Sequence, residues 1–224
     1  MTNSLNSKVD TGSACGPAPM GRRERKRTQT RERIFRSAMQ LFAERGFLAT
    51  TVEDITEAAD VGKGTFFNYF PAKEDVLSVL YEIQLGKVAE ARAAAESGKQ
   101  PIRQVLHDFM LRIAEEPGRT QLLARGLFVT TISSESLRKM MFEMLARGRQ
   151  VLANVLQRGQ ERGEIRRDLR ADDLARVFQQ NVMGTILFWS LTPPAKLQEH
   201  LDRTFEIFWS GISSPAEHFP GERL

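Results

Sequence analysis

The chain has 224 residues, of which 41% are hydrophobic and 27% charged, so it can bury a substantial core and is too apolar to be disordered throughout. Its one cysteine, Cys15, excludes a disulfide framework and a cysteine-based metal site. The formal net charge is +4, whereas residues 21–33 alone hold seven basic and two acidic side chains, a local net charge of +5. Positive charge is therefore concentrated in one segment, which predicts a local anionic partner.

No targeting or membrane segment is evident in the sequence. The first residues lack the charged start and apolar run of a secretory signal. The longest nearly apolar stretch, residues 182–191, is much shorter than the roughly 20 residues that cross a bilayer. We therefore expect a soluble, cytoplasmic protein with no membrane partner.

Residues 1–21 are rich in Ser, Asn, Thr, Gly and Pro, and we expect a disordered tail there. Met20 directly precedes the basic segment, so translation begins at either Met1 or Met20. The basic segment then leads into a first helix, whose apolar stripe is formed by Ile34, Ala38, Leu41 and Phe42. Gly46 is well placed to end this helix.

The basic segment has two interpretations. A charge run is often only a solvated, solubilising tail. Beside a DNA-binding motif, however, it is expected to lie along phosphates or in a minor groove, where it adds affinity with little sequence choice. The residues to which we assign this role are Arg22, Arg23, Arg25, Lys26 and Arg27.

Residues 47–74 contain two short helical patterns joined by a tight turn. Thr51 and Asp54 have the spacing of a capping box, which predicts a helix start. The helix that follows places Val52, Ile55 and Ala58 on one face. Residues 60–62, Asp-Val-Gly, break that helix.

A second short helix is predicted over residues 63–70. Its apolar residues Phe66 and Phe70, together with Val61, turn inward, while a cation, a hydroxyl, an amide and a phenol stay outward. Such a helix suits the DNA major groove, which it enters with its N-terminal residues on the base edges. The outward residues are Lys63, Thr65, Phe67, Asn68 and Tyr69.

This stretch resembles the tetracycline-repressor (TetR/AcrR) family of bacterial transcription regulators. The match runs without a gap through Thr51-Val52, Ile55, Ala58-Ala59, Val61, Lys63-Gly64-Thr65 and Tyr69-Phe70 to Lys73-Glu74. There are three departures: Asp60 stands where the family has Gly, Gly62 where it has Ser, and Phe67 where it has Tyr. The resemblance implies that Gly64 also meets DNA and that Thr51 and Lys73 contact phosphates.

The rest of the chain has helical periodicity and no alternating strand pattern. Six further helices are predicted, over about 73–96, 102–116, 120–131, 135–162, 171–191 and 195–212. We therefore expect an all-α protein of about nine helices. Its expected parts are a tail (1–21), a helix-turn-helix DNA-binding domain (22–72), a ligand-binding and dimerisation domain (73–214) and a C-terminal tail (215–224).

The last two helices are unusually apolar, and two interpretations are open. They form either an internal core or, as the resemblance implies, a four-helix interface with the same helices of a second copy, where Gly184 would permit close approach. A homodimer also reads two DNA half-sites, whereas one short helix contacts too few bases to specify a genomic site. The expected interface residues are Phe178, Thr185, Phe188, Leu201, Phe205 and Phe208.

The resemblance further implies a pocket for a small hydrophobic or amphipathic ligand in the helical body, whose filling tilts the helix that begins near Lys73. Polar groups set among apolar helical residues, and adaptable methionines, are the natural lining. The residues that we expect there are His107, Met110, Arg125, Phe128, Met144, Gln179 and Met183.

The sequence predicts a repressor that acts at a double-stranded DNA operator and is released by a ligand, and two other functions compete with this interpretation. An enzyme is disfavoured, because the three histidines are scattered and no metal-ligand spacing or phosphate-binding loop is present. We accordingly expect no cofactor, no metal and no catalytic residue. The alternative is a DNA-binding regulator without a small-molecule switch, controlled by a protein partner or acting structurally.

Overall fold

The computed structural model describes residues 21–214, so the two expected tails lie outside it except for Gly21. Within this range the protein is helical, with nine α-helices, one 3-10 turn and no strand longer than the single bridge between Ile165 and Ser213. The all-α expectation is confirmed. The helices are α1 (Arg22–Arg45), α2 (Val52–Ala58), α3 (Lys63–Phe67), α4 (Leu77–Ser97), α5 (Ile102–Ala114), α6 (Gln121–Ser133), α7 (Glu135–Glu161), α8 (Ala171–Leu191) and α9 (Leu197–Ile212).

The predicted helices differ from the observed ones mainly at their ends. The second helix of the DNA-binding motif was expected to reach residue 70 but ends at Phe67. Residues 73–76 form a 3-10 turn before α4 begins. The basic segment is helical from Arg22 onward, so its cations lie on the first turns of α1 and not on a separate extended arm.

The N-terminal helices α1–α3 pack around a core of aromatic and branched side chains, and we refer to them as the head. Phe42, Ile55, Phe66 and Phe70 are almost completely buried in this core. Residues from later helices complete it: Leu77 and Leu80 of α4, Leu123 of α6 and Leu137 of α7. A unit of about 50 residues is marginal by itself, and the body supplies the missing apolar contacts.

Helices α4–α9 form the body, with a second core of their own. Helix α7 packs along both α4 and α8, and α9 lies against α5 and α8. Helix α6 is placed between the two units. One of its sides packs on α8 and the other on α1, where Gly126 lies against Phe47 and Leu122 against Gly46.

Candidate DNA-binding surface and buried cavity

Helix α2 begins with the predicted capping box. The Thr51 hydroxyl accepts a hydrogen bond from the Asp54 amide (3.1 Å), and the Asp54 carboxylate accepts one from the Thr51 amide (2.8 Å). The Thr51 hydroxyl also donates to that carboxylate (2.6 Å), and these hydrogen bonds lower the pKa of Asp54. Thr51 therefore uses its polar groups to start the helix and has no free donor for a phosphate in this arrangement.

The turn between α2 and α3 depends on Asp60, which has φ of 49° in the left-handed region. Aspartate tolerates this conformation better than most non-glycine residues. The Val61 amide donates to Thr56 O (3.0 Å), and the Arg33 guanidinium donates to Asp60 O (3.4 Å). The turn therefore forms with Asp60 in the place of the family's glycine, and the Arg33 guanidinium helps to hold it.

Helix α3 is anchored by its aromatic side. Phe66 and Phe70 are buried with ring centroids 5.7 Å apart. Because helical residues advance by 100°, this leaves an outward face centred on Gly64 and Asn68. Lys63 and Phe67 flank this face on one side, and Thr65 and Tyr69 flank it on the other. Nothing lies within 4 Å of a Cβ placed on Gly64, so the centre of the face is open.

One charged contact modifies this face. Lys63 is ion-paired with Glu53 of α2, and the hydrogen bond from Lys63 lowers the pKa of the Glu53 carboxyl. Both side chains are exposed. A carboxylate therefore stands at the edge of a surface whose expected partner is an anion, a feature that the sequence alone did not reveal.

The basic turns of α1 lie beside this face. Arg23, Lys26 and Arg27 of α1 share one surface groove with three residues of or next to α3, namely Thr65, Asn68 and Tyr69. Arg22 and Arg25 are also exposed. The structure thus brings together cations and base-reading candidates that are about 40 positions apart in the chain. Arg31 does not join them, because it makes two hydrogen bonds to Glu82 of α4 (2.7 and 2.8 Å).

The expected phosphate contact of Lys73 is corrected by the structure. Its ammonium group donates to Phe47 O (2.8 Å) and Thr50 O (2.7 Å) and lies 4.3 Å from the Phe47 ring centroid. Burial lowers the pKa of Lys73, an effect that Glu74 partly offsets. Lys73 therefore ties the loop after α1 to the turn that precedes α4, and its charge is directed into the protein.

A cavity of about 130 Å³ lies in the body between α4, α5, α6, α7 and α8. Four of the seven expected ligand contacts line it: Phe128, Met144, Gln179 and Met183. The cavity also has buried polar side chains on α4 and α6 that were not among the expected contacts, namely Tyr81, Gln84 and Thr131. Their spacing along amphipathic helices is that of ordinary core residues, so no local signal marks them.

The other three expected ligand contacts lie elsewhere. His107 Nε2 is 2.8 Å from Asp202 Oδ1 of α9, and its ring packs on Phe205. Met110 is completely buried in the body core. Arg125 donates to Ser190 O at the end of α8 (2.7 Å). These three residues join helices to one another, and their assignment to the pocket is corrected.

The expected dimer residues divide in the same way. Phe178, Leu201, Phe205 and Phe208 are buried within the single chain, so the apolar stripe of α9 belongs to the body core. Thr185 is hydrogen-bonded to Thr204 (3.0 Å) between α8 and α9. Phe188 differs from all of these, since it is 70% exposed.

A different set of apolar residues faces outward from α8 and α9. Val177, Phe188 and Leu191 on α8 are exposed, as is Ile207 on α9 at 69%. Residues 177, 181, 184, 188 and 191 recur at helical spacing, which makes one continuous stripe through Asn181 and Gly184. An open groove runs between this stripe and α9, lined by Val177, Asn181, Thr204, Ile207 and Gly211.

Two other kinds of site are absent from residues 21–214. No cluster of three or more His, Cys, Asp or Glu side chains is arranged to hold a metal ion there. None of the helices in that range is both long enough and apolar enough to cross a membrane.

Comparison with known proteins covers both units. Residues 34–80 match the family model "Bacterial regulatory proteins, tetR family", and residues 81–211 match "TetR/AcrR family transcriptional repressors, C-terminal domain". Among similar proteins, the transcriptional repressor DhaR of Mycobacterium sp. (strain GP1) is 26% identical over 200 residues, which is 88% of this chain and 98% of DhaR.

Solved structures extend this comparison. The Thermus thermophilus repressor FadR, crystallised with lauroyl-CoA, is 29% identical and superposes with a TM-score of 0.60, covering 86% of this chain and all of FadR. FadR of Bacillus subtilis, in complex with stearoyl-CoA, gives a TM-score of 0.64 over 81% of this chain and 98% of its own, and at 23% identity it shows the fold alone.

Proposed function

The chain belongs to the TetR/AcrR family of bacterial transcription regulators, and from that premise we propose that it is a homodimeric repressor that leaves its DNA operator when an apolar small molecule fills the cavity. The proposal requires three parts: a surface that reads DNA, a cavity that takes a ligand, and a physical connection between the two.

The connection is the observation that carries the proposal. Leu80, Tyr81, Leu127, Met141 and Met144 line the cavity, and the same five residues pack in or against the head core. A ligand that displaces them therefore changes the support on which α1–α3 rest. A ligand alters DNA affinity by as much as it prefers one arrangement of the two units over the other, and 1.4 kcal/mol of preference is about tenfold.

The ligand class follows from the lining, which is almost entirely carbon and sulfur. At about 130 Å³ the cavity is comparable to the ~150 Å³ apolar cavity that holds benzene in another protein, so a ring-sized group fits without rearrangement. A longer chain has to separate the surrounding helices. The lauroyl-CoA bound to the similar FadR protein supports a ligand with an acyl or comparable apolar part.

On the DNA side, we assign base reading to Gly64, Thr65, Phe67 and Asn68 on the open face of α3. Hydroxyl and amide side chains pair with base edges, and a phenyl ring contacts the thymine methyl group. We assign phosphate contacts to Tyr69, Lys63 and the exposed cations of α1, which are Arg22, Arg23, Arg25, Lys26 and Arg27.

The second copy is proposed to cover the outer stripe of α8 and the groove beside α9. Exposed apolar residues at helical spacing on adjacent helices are typical of an interface, and Gly184 leaves space for close approach because nothing lies within 4 Å of a Cβ placed there. Pairing two heads in this way gives two half-sites, each read by one α3 helix.

The first test is native mass spectrometry of the purified protein, combined with selection of binding sites from random duplex DNA. We expect a dimer that enriches a sequence with two related half-sites. A monomer at micromolar concentration, or a single half-site, would contradict the two-headed arrangement.

The second test measures operator binding by fluorescence anisotropy while lauroyl-CoA is added, with free coenzyme A as the control. We expect lauroyl-CoA to raise the Kd for the operator by about tenfold or more, and coenzyme A to leave it unchanged. If calorimetry shows that lauroyl-CoA binds but the Kd for the operator is the same with and without saturating lauroyl-CoA, then ligand binding does not release DNA and the proposed switch is contradicted.

A further inference from the structure

Gln84 holds a polar atom that the protein leaves without a partner. The side chain lines the cavity and is 7% exposed. Its amide nitrogen donates to Ile113 O of α5 (3.0 Å), but its Oε1 is fully buried and accepts no hydrogen bond. It is the one side-chain nitrogen or oxygen in residues 21–214 that is buried in this way. Such groups are rare and destabilise the folded state unless something satisfies them.

The orientation of this amide is fixed by the end of α5. Ile113 O belongs to the last turn of that helix, and the residue that would donate to it, Pro117, has no N–H. Gln84 Nε2 supplies the missing donor. Turning the amide over would place two oxygens against each other, so Oε1 stays on the side without a protein donor.

The other polar side chains of the cavity each make a hydrogen bond, and none of them buries an oxygen or nitrogen without a partner. Tyr81 and Thr131 join their hydroxyl groups at 3.1 Å, and Gln179 Nε2 donates to Leu145 O (2.9 Å). The cavity wall therefore has one unmet requirement, a hydrogen-bond donor for Gln84 Oε1.

We propose that the natural ligand carries a hydroxyl or comparable uncharged donor on its buried apolar part, and that this group donates to Gln84 Oε1. The inference rests on the proposed function, because it assigns the chemistry of the molecule that fills the same cavity. It separates two classes that fit the apolar lining equally well: a hydroxylated or phenolic molecule, and a plain hydrocarbon or saturated acyl chain, which leaves Oε1 unpaired.

The position of Gln84 also links recognition of this donor to regulation. Gln84 lies one turn after Leu80 and Tyr81 on α4, both of which reach the head core. Its amide nitrogen is tied to α5, so a ligand hydroxyl on Oε1 joins α4, α5 and the ligand in one hydrogen-bonded chain. A donor at this point biases the orientation of α4 more strongly than an apolar contact of the same size.

The test compares phenols with their methyl ethers, which lack the donor and are larger by one methyl group, and the Gln84→Met variant separates these two differences. The probes are 4-alkylphenols, with alkyl groups from methyl to hexyl, and their methyl ethers, in which the hydroxyl proton is replaced. Binding to the full-length dimer is measured by calorimetry, and operator release by anisotropy. We expect the best phenol to bind wild-type protein about tenfold more tightly than its methyl ether, the size expected when one buried acceptor is satisfied.

The Gln84→Met variant removes the acceptor, and Gln179→Met is the matched control. Both substitutions delete an amide whose nitrogen donates to a helix carbonyl, but only the first deletes a fully buried oxygen that accepts no hydrogen bond. We expect Gln84→Met to bind phenol and ether with equal affinity and Gln179→Met to keep the phenol preference.

The outcomes are separable. Equal binding of phenols and ethers to wild-type protein overturns the inference even if Gln84→Met fails to fold, and so does a preference that persists in a folded Gln84→Met. In either case, release of DNA by the ethers or by lauroyl-CoA leaves the proposed function standing. If neither these probes nor lauroyl-CoA bind while the protein still binds its operator, the proposed ligand switch fails and the inference with it.

Discussion

The head and the body of this protein place their candidate functional side chains on opposite sides of their helices. In the head, α3 buries Phe66 and Phe70, and the residues left facing solvent are those that suit DNA. In the body, the same apolar residue types occur in three environments: the core, the cavity wall and the exposed stripe of α8. Polarity therefore identifies the candidate surface in the head, whereas in the body it does not distinguish one environment from another.

Helix α9 shows the consequence most clearly. Its apolar residues recur at helical spacing, a pattern equally typical of a core helix and of an interface helix. In the structure Leu201, Phe205 and Phe208 all face inward, and Ile207, on the opposite side, is the exposed apolar residue. Spacing indicates which residues share a face but not what that face contacts.

The sharpest test of this distinction is a pair of phenylalanines. Phe205→Ala removes a completely buried ring, and we expect it to lower the free energy of unfolding by about 3–5 kcal/mol, as is usual for such cavities. Chemical denaturation measures this at a fixed protein concentration. A loss below about 1 kcal/mol, with dimer dissociation instead, would return Phe205 to the interface as the sequence suggested.

Phe188→Arg is the counterpart on the exposed face. A charged side chain on the outer stripe of α8 has to be desolvated when a second copy packs there, so we expect a folded monomer. Operator affinity should fall by about 100-fold or more, because a monomer has one head and cannot bind both half-sites at once. Light scattering after size exclusion gives the mass, and circular dichroism verifies the helix content. A stable dimer would place the interface on another surface.

The fold was predictable from sequence because helix breaks are local. Pro, Gly and capping residues mark them, so the predicted span of α8 agrees with the observed one and that of α7 differs by one residue. The DNA-binding motif was predictable for a related reason. Its capping box, its turn and its buried phenylalanines all lie within 24 residues, from Thr51 to Glu74, and need no knowledge of distant neighbours.

The cavity and the contacts of individual charges were less predictable because they depend on residues far away in the chain. His107 is paired with a residue 95 positions later, and Arg125 with one 65 positions later. Gln84 is notable only because the residues that surround it in the fold leave its Oε1 unpaired. No pattern along a single helix contains that information.

Lys73 tests the boundary between the two units. If it ties the loop carbonyls of Phe47 and Thr50 as the structure indicates, Lys73→Met should lower the free energy of unfolding by about 2 kcal/mol and weaken binding to all DNA sequences. The dependence of log Kd on log salt should keep its slope. A direct phosphate contact predicts the opposite: little loss of stability and a slope reduced by about 0.9.

Phe67 tests whether the exposed face of α3 reads bases. The ring is 51% exposed and is held edge-on against Phe66, with centroids 5.4 Å apart. We expect it to contact a thymine methyl group, so replacing the contacted thymine by uracil should weaken wild-type binding by about fourfold, the value of one buried methyl group. Phe67→Ala should be insensitive to the same replacement. Uracil scanning of the selected operator measures both, and equal sensitivity in the two proteins would exclude the contact.

The smallest expected effect has the opposite sign, since it strengthens binding. Glu53 is ion-paired with Lys63 at the edge of the candidate DNA-binding face, and the hydrogen bond from Lys63 lowers the pKa of the Glu53 carboxyl. Glu53→Gln removes a negative charge from that edge and releases Lys63 to bind a phosphate. Affinity for operator and unrelated duplexes alike should rise about twofold to threefold at low salt, and the salt slope should steepen by up to about 0.9.

The control for this prediction is Glu57→Gln, which removes the same charge from the exposed side of the same helix without freeing a cation of α3. If both variants bind DNA more tightly by the same factor, the gain comes from net charge alone and Lys63 has no separate role. If only Glu53→Gln steepens the dependence of log Kd on log salt, Lys63 binds a phosphate once its ion pair with Glu53 is removed. DNA binding by the head would then depend on the Glu53–Lys63 contact, which the sequence pattern of α2 and α3 does not predict. Gln84 is the corresponding case in the body.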